Sequence, residues 1–516
     1  MLRRLFRQSS VYALTSVASK ASGFILLAFY GDPEILSRAD FGYLGALDAT
    51  KMFALLVAGA GMSLGIIRFA STSALSEEEQ AAVPATALVI SAVAAAATVL
   101  AGWSLAAPLA GLIFDAGDGP QTLLAPAQQA EAVRWLAVYV GFRTISDVSY
   151  SVLRQRERPG AFVLLSSAEA LVMVACVVAF LLDGQGLVGV MRGYALSAAI
   201  IASLATPLLL ARVPRRVRWG LVRPLLVFGA PLILSGFAAR FLNFGDRFLI
   251  LHFLGAEQNA VYEWAARFGG VLNSLLVHSF ALSFTVLGLK SLDASGTPEL
   301  HRQAFRHIAV LGGWMTLGLG LFTGDVSRLL TDQDVFWDVG GLVILIAGGF
   351  AFQGLYYVVV NVLYAEGKTR AVALGVGLAA VANLVLNVAL IPTLGIAGAA
   401  SSTLLAYALL AVLTAHLAQR STPVAYPWRA LGLVTGLTAA LWLVALPTGE
   451  WQTASRLAAR IGVALAYLPA LWLLGIYDRD DWQRALGMLR REHDGSTGGR
   501  ADGEDVERVE PPPTKG

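Results

Sequence analysis

Cysteine and charge are what this 516-residue sequence has least of: it holds one Cys, and Asp, Glu, Lys and Arg together make up 14%. The lone Cys176 sits in an apolar run, which excludes an internal disulfide and any thiolate-built metal centre. It reads as a small buried apolar group rather than a reactive thiol. With 38 Lys plus Arg against 35 Asp plus Glu, net charge says little about partners, and no nucleic acid is expected. Also missing are a Walker-type phosphate loop and any polar stretch long enough for an ATP-binding domain. That leaves no motif for an enzyme active site, and no cofactor or metal is expected. What is present in excess is apolar surface, 56% of residues with a mean hydropathy of +0.65, more than a soluble core can hide. It must face lipid.

A bilayer core needs roughly 20 apolar residues per helix. Such runs number fourteen, near 9–30, 41–67, 84–114, 130–153, 160–182, 187–211, 222–243, 258–286, 305–330, 336–364, 371–391, 395–418, 428–446 and 456–476. No alternating strand pattern competes, so the fold class is an all-α polytopic membrane protein. The start, "MLRRLFRQSSVYALTS", has the basic-then-apolar look of a signal peptide. No small-residue cleavage site follows, so it is expected to be span 1, retained.

Basic residues crowd alternate loops: Arg3, Arg4 and Arg7; Arg154, Arg156 and Arg158; Arg212, Arg215, Arg216 and Arg218; Lys368 and Arg370. The other loops carry mainly Arg38, Arg247 and Arg328. This asymmetry predicts both termini in the cytoplasm. The tail 477–516, including "GSTGGRADGEDVERVEPPPTKG", is too polar to order itself and is expected to be largely disordered.

The sequence carries an internal echo. At an offset of 209, "DGQGLVGVMRGYALSAA" aligns with "PTLGIAGAASSTLLAYA", matching Gly186 with Gly395 and Gly189 with Gly398. The same offset lays Glu157, in the basic turn "RQRERP", on Glu366, in "AEGKTR". Two copies of a six-span unit are predicted: an N-lobe at 1–211 and a C-lobe at 222–418, joined by a basic linker at 212–221. Spans 13 and 14, at 428–476, form an appended pair. An even number of spans per copy relates the lobes by an axis along the membrane normal, with a pathway between them.

Charges at membrane depth are costly and point to function. Lys20 lies in span 1, Asp48 and Lys51 in span 2, Arg143 and Asp147 in span 4, Glu169 in span 5, Arg192 in span 6, Arg240 in span 7, and Glu263 and Arg267 in span 8. Three acid–base pairs have helical-neighbour spacing, which also fits plain internal neutralisation. Lys20 and Arg240 have no such partner, and an offset of 219 that lays Tyr43 on Tyr262 brings them within one residue of each other. Cations at matching depth in both halves suggest a cavity for an anion, with phosphate the leading choice. Asp48, Asp147, Glu169 and Glu263 are the candidates for coupling to protons or sodium.

Two stretches carry a family resemblance. "GDRFLILHFLGAEQNAVYEWAARF" (245–268) resembles the span 7–8 junction of polysaccharide exporters in the multidrug/oligosaccharidyl-lipid/polysaccharide superfamily. "AEGKTRAVALGVGLAAVANLVLNVALIPTLGIAGAASSTLLAY" (365–407) is similar to their Gly-Lys-Thr turn, Asn-rich span and following turn. The resemblance implies two six-helix lobes that alternate between inward- and outward-open states. It implies a flippase, in the bacterial inner membrane, that moves undecaprenyl-diphosphate-linked oligosaccharide to the outer leaflet for O-antigen, capsule or exopolysaccharide assembly. A polymerase or glycosyltransferase assembly would be its partner. By position Lys20, Lys51, Arg143, Arg240 and Arg267 would bind the substrate. Asp246 and Arg247 match the family's Asp-Arg pair and are favoured as a structural latch.

On this reading the 245–258 segment is an outer turn, with His252 and Glu257 solvated. Three alternatives remain open. A peptidoglycan-precursor flippase would carry Gly-Phe-x-Arg-Asp in span 1, where Ile25 and Leu26 stand here. A multidrug cation antiporter would be opposed by Lys20, Lys51 and Arg240. A non-transporting scaffold would have no use for the midplane charges.

Overall fold

The computed structural model describes residues 21–114, 124–211, 213, 216–281, 284, 297–420 and 423–477. Lys20, most of span 1, and the tail from residue 478 lie outside the described residues. Among those described there are helices and no strand. Lipid offers no water to backbone N–H and C=O groups, so each apolar run satisfies them within itself.

In the first half the helices are α1 (Ala21–Tyr30), α2 (Arg38–Gly59), α3 (Met62–Phe69), α4 (Glu77–Ser104), α5 (Ala106–Phe114), α6 (Pro126–Gln155), α7 (Pro159–Leu182) and α8 (Gly186–Leu210). The second half continues with α9 (Val222–Phe244), α10 (Asp246–Leu254), α11 (Ala256–Leu272), α12 (Thr297–Leu330), α13 (Gly340–Ala365), α14 (Thr369–Leu394) and α15 (Ile396–Gln419). Then come α16 (Trp428–Ala445) and α17 (Thr453–Leu473). Eleven helical segments among the described residues are long and apolar enough to cross a membrane. The other three expected spans also fall on helix: α1, and the charge-bearing α6 and α11. The protein is a multi-pass, all-α membrane protein.

Local sequence sets the ends and breaks. Ser37 caps α2 by accepting from the Asp40 N–H at 3.1 Å, and Ser76 with Glu79 forms a capping box on α4. The second expected span is not one helix. It breaks at Ala60 and Gly61, whose φ values are +44° and +69°. Gly229 of α9 lies against that break so closely that a Cβ on it would stand 2.0 Å from the Ala60 carbonyl oxygen. The third expected span also divides, into α4 and α5, and α11 runs on into a π-helical turn at Asn273–His278.

Packing recurs in the two halves. In the first, α4 packs on α6, while α6 and α7 both pack on α8; in the second, α12 packs on α13, while α13 and α14 both pack on α15. Gly186 and Gly395 both hold positive φ, at +52° and +61°. Gly189 and Gly398 both press backbone against the end of the preceding helix, at Phe180 and Leu390. The upstream turn, however, shifts by one residue. Arg158 N–H donates to Leu153 O across Glu157 (φ +50°), and Lys368 N–H donates to Leu363 O across Gly367 (φ +68°). Glu157 therefore corresponds to Gly367, not to Glu366. Turn hydrogen bonds define that register, and residue identity misled the alignment.

The appended helices α16 and α17 pack on α12. Asp325 of α12 accepts from Arg456 Nε at 2.7 Å and from Arg460 Nη1 at 2.6 Å, with Arg328 3.9 Å away. Composition gave no sign of this buried clip, because its members lie more than 130 residues apart.

Candidate functional site

The intramembrane charges assemble into two clusters. In the first, α2 supplies Asp48 and Lys51, three residues apart and so on one helix face, joined at 2.5 Å. Asp48 reaches across to Arg267 of α11 at 3.6 Å. Arg267 pairs with Glu263, four residues earlier, at 3.3 Å. Glu263 in turn meets Arg247 Nε at 3.3 Å, and Arg247 meets Asp246 at 2.7 Å. Tyr262 Oη donates to the other Asp246 oxygen. The result is a chain of alternating sign, Lys51–Asp48–Arg267–Glu263–Arg247–Asp246, that crosses from the first half to the second. Its ion pairs offset the several kcal/mol that each desolvated ion would otherwise cost.

Aromatic faces take up the cations' remaining surface. The Lys51 ammonium lies 4.2 Å from the Tyr194 ring centroid, and the Arg267 guanidinium lies 5.2 Å from Tyr30 and 5.3 Å from Phe41.

The second cluster sits within the first half. Arg143 of α6 pairs with Asp147 at 3.1 Å and with Glu169 of α7, which also accepts from Tyr150 Oη. Here two carboxylates meet one guanidinium. Arg240 lies on α9, in the opposite half. It is half-buried and makes no ion pair among the described residues. The Asp147 side chain keeps 37% of its surface accessible and that of Arg143 26%.

All three acid–base pairs read from spacing are present. Of the five cations expected to bind substrate, Lys51, Arg143 and Arg267 are paired with carboxylates, Lys20 lies outside the described residues, and Arg240 makes no ion pair among the described residues. Four carboxylates, the coupling candidates Asp48, Asp147, Glu169 and Glu263, oppose four described cations. Asp246 and Arg247 differ from expectation as well. They are 2% and 8% exposed rather than in a wet outer turn, because α10 folds in beside α11 and ties them to Tyr262 and Glu263. Glu257 is paired with Arg38 at 2.5 Å, while His252 is exposed as expected. Arg192 of α8 pairs with Glu131 of α6.

Near the Arg38–Glu257 pair, α2 and α11 cross backbone to backbone. Asn259 Nδ2 donates to Gly42 O at 2.7 Å, and a Cβ on Gly42 would lie 1.8 Å from Ala256 O. This crossing brings backbone of the first half against backbone of the second.

Fold and charge together define the class: a multi-pass helical membrane protein with the architecture of transporters. The lipid II flippase MurJ in an inward closed conformation shares the fold with a TM-score of 0.70 at 12% identity, over 90% of this chain and 99% of that one. An inward-facing multidrug resistance MATE family transporter of the MOP superfamily follows at 0.63 and 14%, over 78% and 94%. A family model described as polysaccharide biosynthesis protein matches residues 5–284, and the chain belongs to that family. The probable low-salt glycan biosynthesis flippase Agl15 of Haloferax volcanii is 22% identical over 307 residues, 58% of this chain. The chain spans 64% of that relative's length.

Proposed function

We propose that the protein is a flippase that carries a lipid-diphosphate-linked oligosaccharide across the membrane by alternating access between two six-span lobes. Undecaprenyl diphosphate is the carrier that the sequence resemblance favours, and the bacterial inner membrane with cytoplasmic termini is the setting. The observation that carries this reading is Arg240. It is a guanidinium at membrane depth with no ion pair among the described residues, while every other described candidate cation is already neutralised. A diphosphate offers oxygens that can take charge-assisted hydrogen bonds from Arg240 and compete with Asp147 and Glu169 for Arg143. Carboxylates displaced in that exchange are left to take up a proton or cation, which gives Asp147 and Glu169 a coupling role.

Membership of the polysaccharide biosynthesis family and the recurrent packing of the two halves support the same reading. An organic-cation exporter is a poorer fit, because Arg240 and Lys51 would repel its cargo.

The test is complementation. A strain lacking this gene should lose its extracellular polysaccharide and accumulate lipid-linked oligosaccharide facing the cytoplasm. The wild-type gene should restore export, and Arg240→Ala should not, although the variant inserts normally. Restoration by Arg240→Ala would contradict the role given to that guanidinium. A deletion strain with unchanged polysaccharide would overturn the function itself.

A further inference from the structure

A cleft of about 300 Å³ opens where α12 ends, α13 begins and α16 ends, and its lining shares no residue with either charge cluster. The link "TDQDVFWDVGG" (331–341) builds one side of it, and glycine keeps the walls thin. A Cβ on Gly340 would lie 2.8 Å from Trp442 Cη2, and one on Gly320 would lie 3.3 Å from Cζ3, so the indole rests on bare backbone. A Cβ on Gly341 or Gly449 would meet nothing within 4 Å, so both border open space.

Three charged groups on the wall keep hydrogen-bonding capacity among the described residues. Arg328 makes no hydrogen bond there, and its one ion pair is a 3.9 Å approach to Asp325, whose oxygens already accept from Arg456 and Arg460. Arg460 donates from Nε to Thr448 Oγ1 and from Nη1 to Asp325 and the Leu321 carbonyl, which leaves Nη2 over. Asp338 is exposed and has neither an ion pair nor a hydrogen bond among the described residues. An excess of guanidinium with a lone carboxylate on the same wall is complementary to a zwitterion.

The level of the cleft identifies which zwitterion. It lies at the ends of membrane-crossing helices, with Trp337 and Trp442 in its wall and Trp451 exposed in the next turn. Indoles at helix ends mark the headgroup layer. Leu446 lines the cleft and is exposed, as are Leu443 and Val444 before it on α16, so an apolar face leads from the cleft toward the acyl chains. Headgroups bind in charged pockets between helices at this level.

We propose that this cleft binds one aminophospholipid of the phosphatidylethanolamine type, its phosphate on Arg328 and Arg460, its ammonium on Asp338 and an acyl chain along Leu446. The lipid joins the α12–α13 link to the appended helices beside the Asp325 clip. Because Arg240 and the Asp147 cluster take no part, lipid binding is read independently of transport.

The experiment is native mass spectrometry of the full-length protein, exchanged from detergent into phosphatidylcholine. Phosphatidylethanolamine and phosphatidylglycerol with matched acyl chains are then added as probes. The wild type should retain one phosphatidylethanolamine in preference to both other lipids, since phosphatidylcholine has no ammonium N–H for Asp338 and phosphatidylglycerol has no cation. Asp338→Asn and Arg328→Gln should each bind it about tenfold more weakly, through loss of a charge-assisted hydrogen bond. Asp338→Glu keeps the charge and should keep the preference. Asp338 has no partner among the described residues, so its replacement reads the lipid and not the fold. Equal retention of the three lipids, a preference for phosphatidylglycerol, or undiminished binding by Asp338→Asn or Arg328→Gln would overturn the proposal.

Discussion

Adding one methyl group at Gly42 should loosen the seal between α2 and α11. The structure places that Cβ 1.8 Å from the Ala256 carbonyl oxygen, 2.7 Å from its carbon and 3.1 Å from its Cα, all backbone atoms. None can rotate away, so the two helices must part by about 1 Å or more. Overpacking of this kind costs about 1–3 kcal/mol. On the proposed alternation of the lobes this crossing parts in the open state, so the penalty falls on the closed state alone. It should shift the ratio of closed to open molecules about five- to 150-fold.

The assay exploits the single cysteine. With Cys176→Ser as background, Arg38→Cys and Glu257→Cys place two thiols at a contact that is 2.5 Å in the closed state. Cross-linking with a short bifunctional reagent should be fast in that protein and several-fold slower once Gly42→Ala is added. Equal rates would refute the reasoning, because they would show either that the crossing does not report closure or that it yields without cost.

Other perturbations follow from the same geometry. Asp325→Asn leaves Arg456 and Arg460 facing each other with no carboxylate between them, and breaking such a buried pair costs about 3–5 kcal/mol. The purified variant should unfold at clearly lower temperature, and an unchanged midpoint would show that the clip contributes nothing. Glu157→Gly should act the other way. A non-glycine residue at φ +50° is strained, while Gly367 fills the matching turn, so relief is expected to stabilise by about 0.5–1 kcal/mol. A lower midpoint in that variant would contradict the turn equivalence.

Contacts within a helix were legible in the sequence. The pairs Asp48–Lys51, Arg143–Asp147 and Glu263–Arg267 sit three or four residues apart, and helix geometry makes such residues neighbours. What spacing could not show is contact between helices. Glu169 reaches Arg143 over 26 residues, Arg267 reaches Asp48 over more than 200, and nothing in the intervening sequence encodes either meeting. Spacing therefore does not show that Glu169 and Asp48 also neutralise Arg143 and Arg267. Burial of Asp246 and Arg247 was hidden for a similar reason. The segment reads as a polar turn until Tyr262 and Glu263, sixteen residues on, fold back upon it.

The proposed function needs Arg240 as the guanidinium left free for the cargo's diphosphate, and the protein's affinity for undecaprenyl diphosphate in detergent is the most direct measurement. Loss of a charge-assisted hydrogen bond is worth about 1.5–3 kcal/mol, so Arg240→Ala should bind about 10- to 150-fold more weakly than wild type. Arg240→Lys should fall between the two. Equal affinity in wild type and Arg240→Ala would contradict the claim.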